Sequence, residues 1–245
     1  MNNRKDFTGK ITWLGHAAFL IESPRGTRIA IDPFTKNNPK FPKGFEFGKV
    51  DVIAATHAHS DHFGDDALEL ARKTGATVIG IFELALHAAS KGIGNVAGMN
   101  KGGSQAVGGV SFRMVHADHS AGASPGNKPA EYAGEPCGYV MSFEDGFRVY
   151  HAGDTNVFSD MALIGELYEP DVALLPIGDF YTMGPREAAK ACELLRAPRV
   201  IPMHWGTFPV LTGTPAQLRQ ELKKRDLTTE VIELTPGDSW PEDTK

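Results

Sequence analysis

Residues 53–64 read IAATHAHSDHFG, and within six of these positions the chain places three of its nine histidines, His57, His59 and His62, together with Asp61. The stretch VDVIAATH at 50–57 is largely apolar and predicts a strand covered on both faces. The histidines therefore sit at or just past its C-terminal end. Side chains two apart on an extended chain point the same way, so His57 and His59 can converge on one point. Asp61 and His62 follow once the chain turns, and can face a second point nearby. Imidazole nitrogens and a carboxylate oxygen suit a transition-metal ion of borderline softness. A solvated loop accounts for one such histidine, but packing gives no reason to crowd three rings and an acid behind a buried strand.

A two-metal site needs more ligands, and they should lie at other strand ends. VHADHSAG (115–122) offers His116 and His119, VYHAGDT (149–155) offers His151 and Asp154, and VIPMHWGTF (200–208) offers His204. Each follows a β-rich apolar run, so one rim of the sheets can gather them all. Paired cations stand about 3.5–4 Å apart and share a bridging ligand. The two oxygens of Asp154 suit that place.

The remaining sequence reads as one domain over residues 1–245, with short strands alternating with helices, which predicts a layered α/β protein of sheet on sheet with helices outside. Helices are expected in DDALELARKTG (65–75), with acids in its first turn, and in GPREAAKACELLRA (184–197), with Pro185 at its start. GTPAQLRQELKKRDL (213–227) adds a third, with a capping-box pattern at Thr214 and Gln217. Gly/Pro-rich stretches at 35–48, 92–109 and 118–137 read as lids or binding loops. A hydrophobic content of 41% and charged content of 22% are those of an ordinary globular protein with a sizeable core. The net charge of −5, with scattered Lys and Arg, argues against a nucleic-acid partner. No apolar run reaches membrane-spanning length and MNNRKDF lacks a signal-peptide core, so the expectation is a cytoplasmic protein without a membrane partner. Cys137 and Cys192 have no CxxC spacing and read as packing residues.

These residues resemble the metallo-β-lactamase superfamily, whose H-x-H-x-D-H motif, later histidine, GDT aspartate and final histidine occur here in order. The likeness runs over residues 15–240. GHAAFLIE, IDPF, ATHAHSDH, LLPIGDFYTMGP and PMHWGTFPVLTGTP are closest to the branch of bacterial metal-dependent hydrolases related to L-ascorbate-6-phosphate lactonase. The resemblance implies a four-layer αβ/βα sandwich, two mixed β-sheets with helices on the outer faces. It also implies two divalent metal ions, zinc by preference with manganese, nickel or iron also accepted. His57, His59 and a later histidine would hold the first, Asp61, His62 and His204 the second, with Asp154 bridging. His119 is favoured over His116 as the later histidine, because related chains place a histidine directly before a serine here. True lactamases often put a cysteine on the second metal where this chain offers Asp154. That favours hydrolysis of phosphoesters, lactones or thioesters over β-lactams.

The expected function is hydrolysis of a small phosphoester or lactone/ester by a metal-bridging hydroxide, with Asp61 orienting the nucleophile and His151 assisting. A metal-dependent nuclease or phosphodiesterase, a β-lactamase-type amide hydrolase and a non-catalytic or oxygen-reducing metal protein are the alternatives. The expected partner is a small-molecule substrate, and a homo-oligomer is compatible with the exposed loops. Other residues keep two readings each. His16 lines the pocket floor or is a satisfied core residue, and Asp32 fixes a ligand histidine or caps a turn. His151 hydrogen-bonds a ligand or is structural. Asp179, Tyr181 and Thr182 reach the substrate or shape a turn before a helix. Lys101 meets an anionic substrate or is solvated, and Phe41, Phe45 and Phe47 form a rim or join the core. His87 reads as a surface or packing residue.

Overall fold

Burial separates the strands as their patterns require. Along β8 (Val110–His116), Val110, Phe112 and Met114 are buried whereas Ser111 and His116 are exposed. By contrast β4 (Val52–Ala54), β11 (Val172–Pro176) and β12 (Arg199–Met203) are buried at every position, as strands covered on both faces must be. The computed structural model describes residues 6–123 and 129–242.

Among the described residues two seven-stranded sheets result. The first contains β1 (Lys10–Trp13), β2 (Phe19–Glu22), β3 (Arg28–Ile31), β5 (Thr77–Ile81), β6 (Val96–Met99) and β14 (Ser239–Trp240), in the order β14-β1-β2-β3-β4-β5-β6. Its pairings are antiparallel from β14 to β3 and parallel from β3 to β6. The second contains β7 (Ser104–Val107), β9 (Cys137–Ser142), β10 (Arg148–His151) and β13 (Glu230–Val231), in the order β13-β12-β11-β10-β9-β8-β7. It too is antiparallel on one side, from β7 to β10, and parallel on the other. Both sheets are mixed.

The main core lies between the sheets, where Ile29 and Ile53 share a cluster with Phe112, Tyr139 and Leu174. α2 (Asp65–Thr74) and α3 (Phe82–Ser90) add Leu68 and Leu84 to this cluster. α4 (Met161–Tyr168), α5 (Pro185–Leu195) and α6 (Pro215–Lys224) cover the other face of the second sheet, where Ile164, Ala188 and Leu218 meet Ala173 and Val200. This is the αβ/βα sandwich. The expected helix signals act as read: Gly75 ends α2 at φ 70°, Pro185 opens α5, and Thr214 and Gln217 form the capping box of α6.

Two segments depart from expectation, and the phenylalanines of a third take the core reading. The 92–109 stretch holds β6 and β7, which lack a long apolar run and gain their order by pairing with β5 and β8. α4 escapes the helical pattern because MALIGELY has no polar face, and Leu163 and Leu167 remain exposed. The 35–48 loop is irregular, but its Phe41, Phe45 and Phe47 pack on one another and join the core. Of the 118–137 loop, residues 124–128 lie outside the described residues. Among the described residues no helix is long and apolar enough to cross a membrane.

The histidine run follows β4, Asp154 follows β10 and His204 follows β12, so the parallel strands of both sheets deliver them at C-terminal ends. At Gly178, after β11, the backbone passes so near the β12 end that a Cβ would stand 1.9 Å from the His204 carbonyl oxygen. Gly178→Ala is therefore expected to force the two strand ends apart and lower stability by about 3 kcal/mol, the upper range for overpacking. A urea midpoint unchanged from wild type would show that the strand ends yield without cost.

Candidate metal centre

The centre is built outward from one buried acid. Asp32, fully buried at φ 43°, accepts from the Thr56 amide at Oδ1 (2.8 Å). Its Oδ2 accepts from the Thr56 hydroxyl (2.6 Å) and from His62 Nδ1 (2.9 Å). With its proton committed to Asp32, the Thr56 oxygen accepts from His57 Nδ1 at 3.0 Å. Both rings thus carry their proton on Nδ1 and present Nε2 to the interior, the usual way a carboxylate orients a metal-binding imidazole. His57 Nε2 lies 2.9 Å from His59 Nδ1.

One-turn α1 (Ser60–Phe63) carries Asp61 and His62. His119 is held beside Asp154 by backbone ties: the Asp118 amide donates to Thr155 Oγ1 and the Asn156 amide to the Asp118 carbonyl, each at 2.9 Å. His204, at φ 55°, donates its amide to the His16 carbonyl at 2.9 Å. Around Asp154 Oδ2 stand His204 Nε2 at 3.1 Å, His62 Nε2 at 3.2 Å and His119 Nε2 at 3.7 Å. Among the described residues three groups have ligand atoms within 4.8 Å of one another: His57, His59 and His119; His16, Asp61, His62 and His204; and Asp32, His57 and His62, the last already tied by the hydrogen bonds through Asp32 and Thr56. The structure thus brings together all seven residues expected as ligands.

The chemistry of these atoms fits a cation. His62 Nε2, His204 Nε2 and Asp154 Oδ1 are buried without a hydrogen-bond partner, a costly arrangement unless something else satisfies them. Burial pushes the Asp154 carboxyl up, but His204 and His62 beside it hold it well below the usual carboxylate range. Burial likewise opposes charge on His62, yet Asp154 and Asp32 raise its pKa well above the ordinary value. Burial, followed by the neighbouring His62, lowers His57 and His59, and burial also lowers His119.

Several candidates take other places. His151 is corrected from a catalytic candidate to a brace: it is fully buried, Nε2 donates to the Ala17 carbonyl (3.2 Å), and Nδ1 accepts from the Gly153 amide (3.1 Å). With both nitrogens engaged it cannot exchange a proton with substrate, but it fixes the turn before Asp154. His116 is exposed and lies edge-on to Phe158. With Lys101 it borders a separate surface cavity of about 320 Å³. Asp179 accepts from the Phe180 amide, Thr182 bonds the Met183 carbonyl, and Phe180 and Tyr181 are exposed. The Met183 amide ties that loop to the Thr155 carbonyl. His87 is partly exposed on α3. Cys137 and Cys192 are buried free thiols that burial pushes to about 12. Thr56 was missed by the sequence reading, since one hydroxyl before a histidine carries no motif weight.

Beside Asp61 opens a cavity of about 380 Å³ lined by Phe34, Asn37, Ser60, Asp65, Asp66 and Phe208. It is large enough for a small molecule and rich in carboxylates.

The Beta-lactamase superfamily domain matches residues 10–204, most of the chain. This chain belongs to the metallo-β-lactamase superfamily. A UPF0173 metal-dependent hydrolase of Koribacter versatilis is 50% identical over 232 residues, covering 94% of this chain and 97% of the relative. One of Methanopyrus kandleri is 48% identical over 231 residues, covering 94% and 99%. Among solved structures, Igni18, a metallo hydrolase of Ignicoccus hospitalis, superimposes with a TM-score of 0.83 at 38% identity, covering 97% of this chain and 99% of that one. The protein is a metal-dependent hydrolase of this superfamily.

Two outcomes are expected of the metal-free chain. Asp32→Asn replaces one of the two accepting oxygens by an N–H donor, so His62 Nδ1 and the two Thr56 donors can no longer all be received, and should weaken metal binding about 10–100-fold; an unchanged zinc affinity by chelator competition would refute the aiming role. Acid should also destabilise it. His16, His57, His59, His119 and His151 all have lowered pKa values, His16 to about 4, against the raised His62. As pH falls below about 6.5 the unfolded chain takes up protons on these five more readily than the folded chain, so their contribution to stability is present above that pH and is lost as pH falls toward 4. Urea midpoints measured in chelator from pH 7.5 to 4.5 should decline accordingly, and a flat profile would contradict the burial of these rings.

Proposed function

We propose that the protein is a dinuclear hydrolase acting on a small phosphoester or lactone/ester. His57, His59 and His119 would hold one cation, Asp61, His62 and His204 the other, and Asp154 would bridge them. The observation that carries this reading is the convergence of three histidines from separate segments on Asp154 Oδ2, with its Oδ1 buried and unpartnered. When bound, the cation pair supplies a hydroxide nucleophile near neutral pH and polarises the substrate oxygen under attack. Zinc suits the His/Asp set best, and manganese, nickel and iron share it.

The chain's own groups do the positioning. Asp61 is half-buried beside the cavity, and burial, which raises its pKa, is outweighed by the hydrogen bond from His16 and by His62. It therefore stays a carboxylate, an acceptor able to orient the nucleophile. Asp32 and Thr56 keep His57 and His62 from turning. The cavity's size favours a small substrate, and its carboxylates together with the net charge of −5 oppose a nucleic-acid polyanion. A cytoplasmic setting agrees with this chemistry.

Elemental analysis after reconstitution should find two ions per chain. Asp154→Asn should retain at most one and lose more than about 100-fold in kcat, beyond what loss of a supporting group costs. The measurement is turnover of a panel of phosphodiesters, phosphomonoesters, lactones and thioesters with each metal restored. Two ions and full activity in that variant would sink the bridging assignment.

A further inference from the structure

His16 stands in the tight turn between β1 and β2, 188 residues before His204, yet their rings lie 3.8 Å apart between centroids. The His16 carbonyl accepts from the His204 amide (2.9 Å) and from Trp13 Nε1 (2.9 Å). Its Nε2 lies 3.2 Å from Asp61 Oδ2. A carboxylate can only accept, so Nε2 carries the proton and Nδ1 is left as a lone pair, buried and without a partner. Phe34 and Phe208 meet the ring at 5.7 and 5.6 Å and limit its rotation. Both His16 (φ 57°) and His204 (φ 55°) adopt left-handed backbone, costly for a side chain other than glycine and common where function sets the geometry.

We infer that His16 is a positioning residue for the second metal position. By donating to Asp61 Oδ2 it leaves Oδ1 to face the ion, and by its carbonyl and ring it sets where His204 enters. One residue thereby joins a ligand carried by the first sheet to a ligand carried by the second. The inference rests on the dinuclear reading above and assigns His16 to one of the two positions alone. No bond in the structure links His16 to His59 or His119 among the described residues.

Zinc alone, titrated into the metal-free full chain against a competing chelator, tests this. His16→Ala and His16→Leu should bind one ion as wild type does and the other about 10–100-fold more weakly. His16→Gln, which keeps a side-chain N–H, should recover much of the loss. Equal weakening of both ions, no weakening, or a His16→Gln no better than His16→Leu would overturn the assignment. Ring ¹⁵N shifts of the metal-free wild type give a separate reading. A proton on Nε2 whose shift moves in Asp61→Ala supports the donated bond, and a proton on Nδ1 overturns it. A wild type that binds only one zinc ion would defeat the dinuclear reading, while the ring shifts would still decide the donation by His16.

Discussion

Removing a carboxylate from water is costly unless its oxygens are paired, and Asp32 meets that demand with three donors from two residues. The same pairing sets the direction of two rings. Thr56, its hydroxyl proton spent on Asp32, can only accept from His57, and His62 can only donate to Asp32 through Nδ1. The Nε2 atoms that remain have nowhere to point but inward. The centre is therefore aimed from behind, by groups no substrate touches.

What is aimed would be unfavourable without a cation. Several imidazoles are crowded into an interior that suppresses their charge, around one acid whose ionised form they favour. Within a metallo-β-lactamase fold this crowding has a purpose: an ionised oxygen and neutral nitrogens, the state burial favours at His57, His59 and His119, are what a metal ligand needs, while at His62 a cation would take the place of the second ring proton. The two sheets contribute unequally. The first brings the dense run from His57 to His62, and the second brings His119, Asp154 and His204 on loops after β8, β10 and β12. Neither the group of His57, His59 and His119 nor that of His16, Asp61, His62 and His204 is assembled by one sheet alone.

The histidine run was legible because its spacing is local: three rings and an acid after a buried strand have no packing rationale. Asp154 and His204 were legible by the same logic of position after a strand. His119 was favoured over His116 only through the resemblance, because residue spacing alone does not tell which of two rings three residues apart faces the interior and which meets Phe158. His151 was misjudged for a related reason. Its sequence context resembles that of a ligand, but the backbone groups that occupy its nitrogens, at Ala17 and Gly153, lie in different parts of the chain. The grouping of His16 with Asp61 is likewise a product of tertiary folding. Short strands such as β6 and β7 exist through their neighbours, and an apolar helix such as α4 leaves no periodic trace.

The first sheet is finished by the last strand: Ile11 pairs with Trp240, and Thr12 with Ser239, across nearly the whole chain. Along the chain β1 is made long before β14. Until β14 emerges the outer edge of β1 lacks this partner strand, and contacts of such high sequence separation are slow to form. Even the nascent histidine run must wait for residues near 204 before a full cage can close. Removing β14 should expose a sticky β edge and loosen Trp13, whose indole holds the His16 carbonyl.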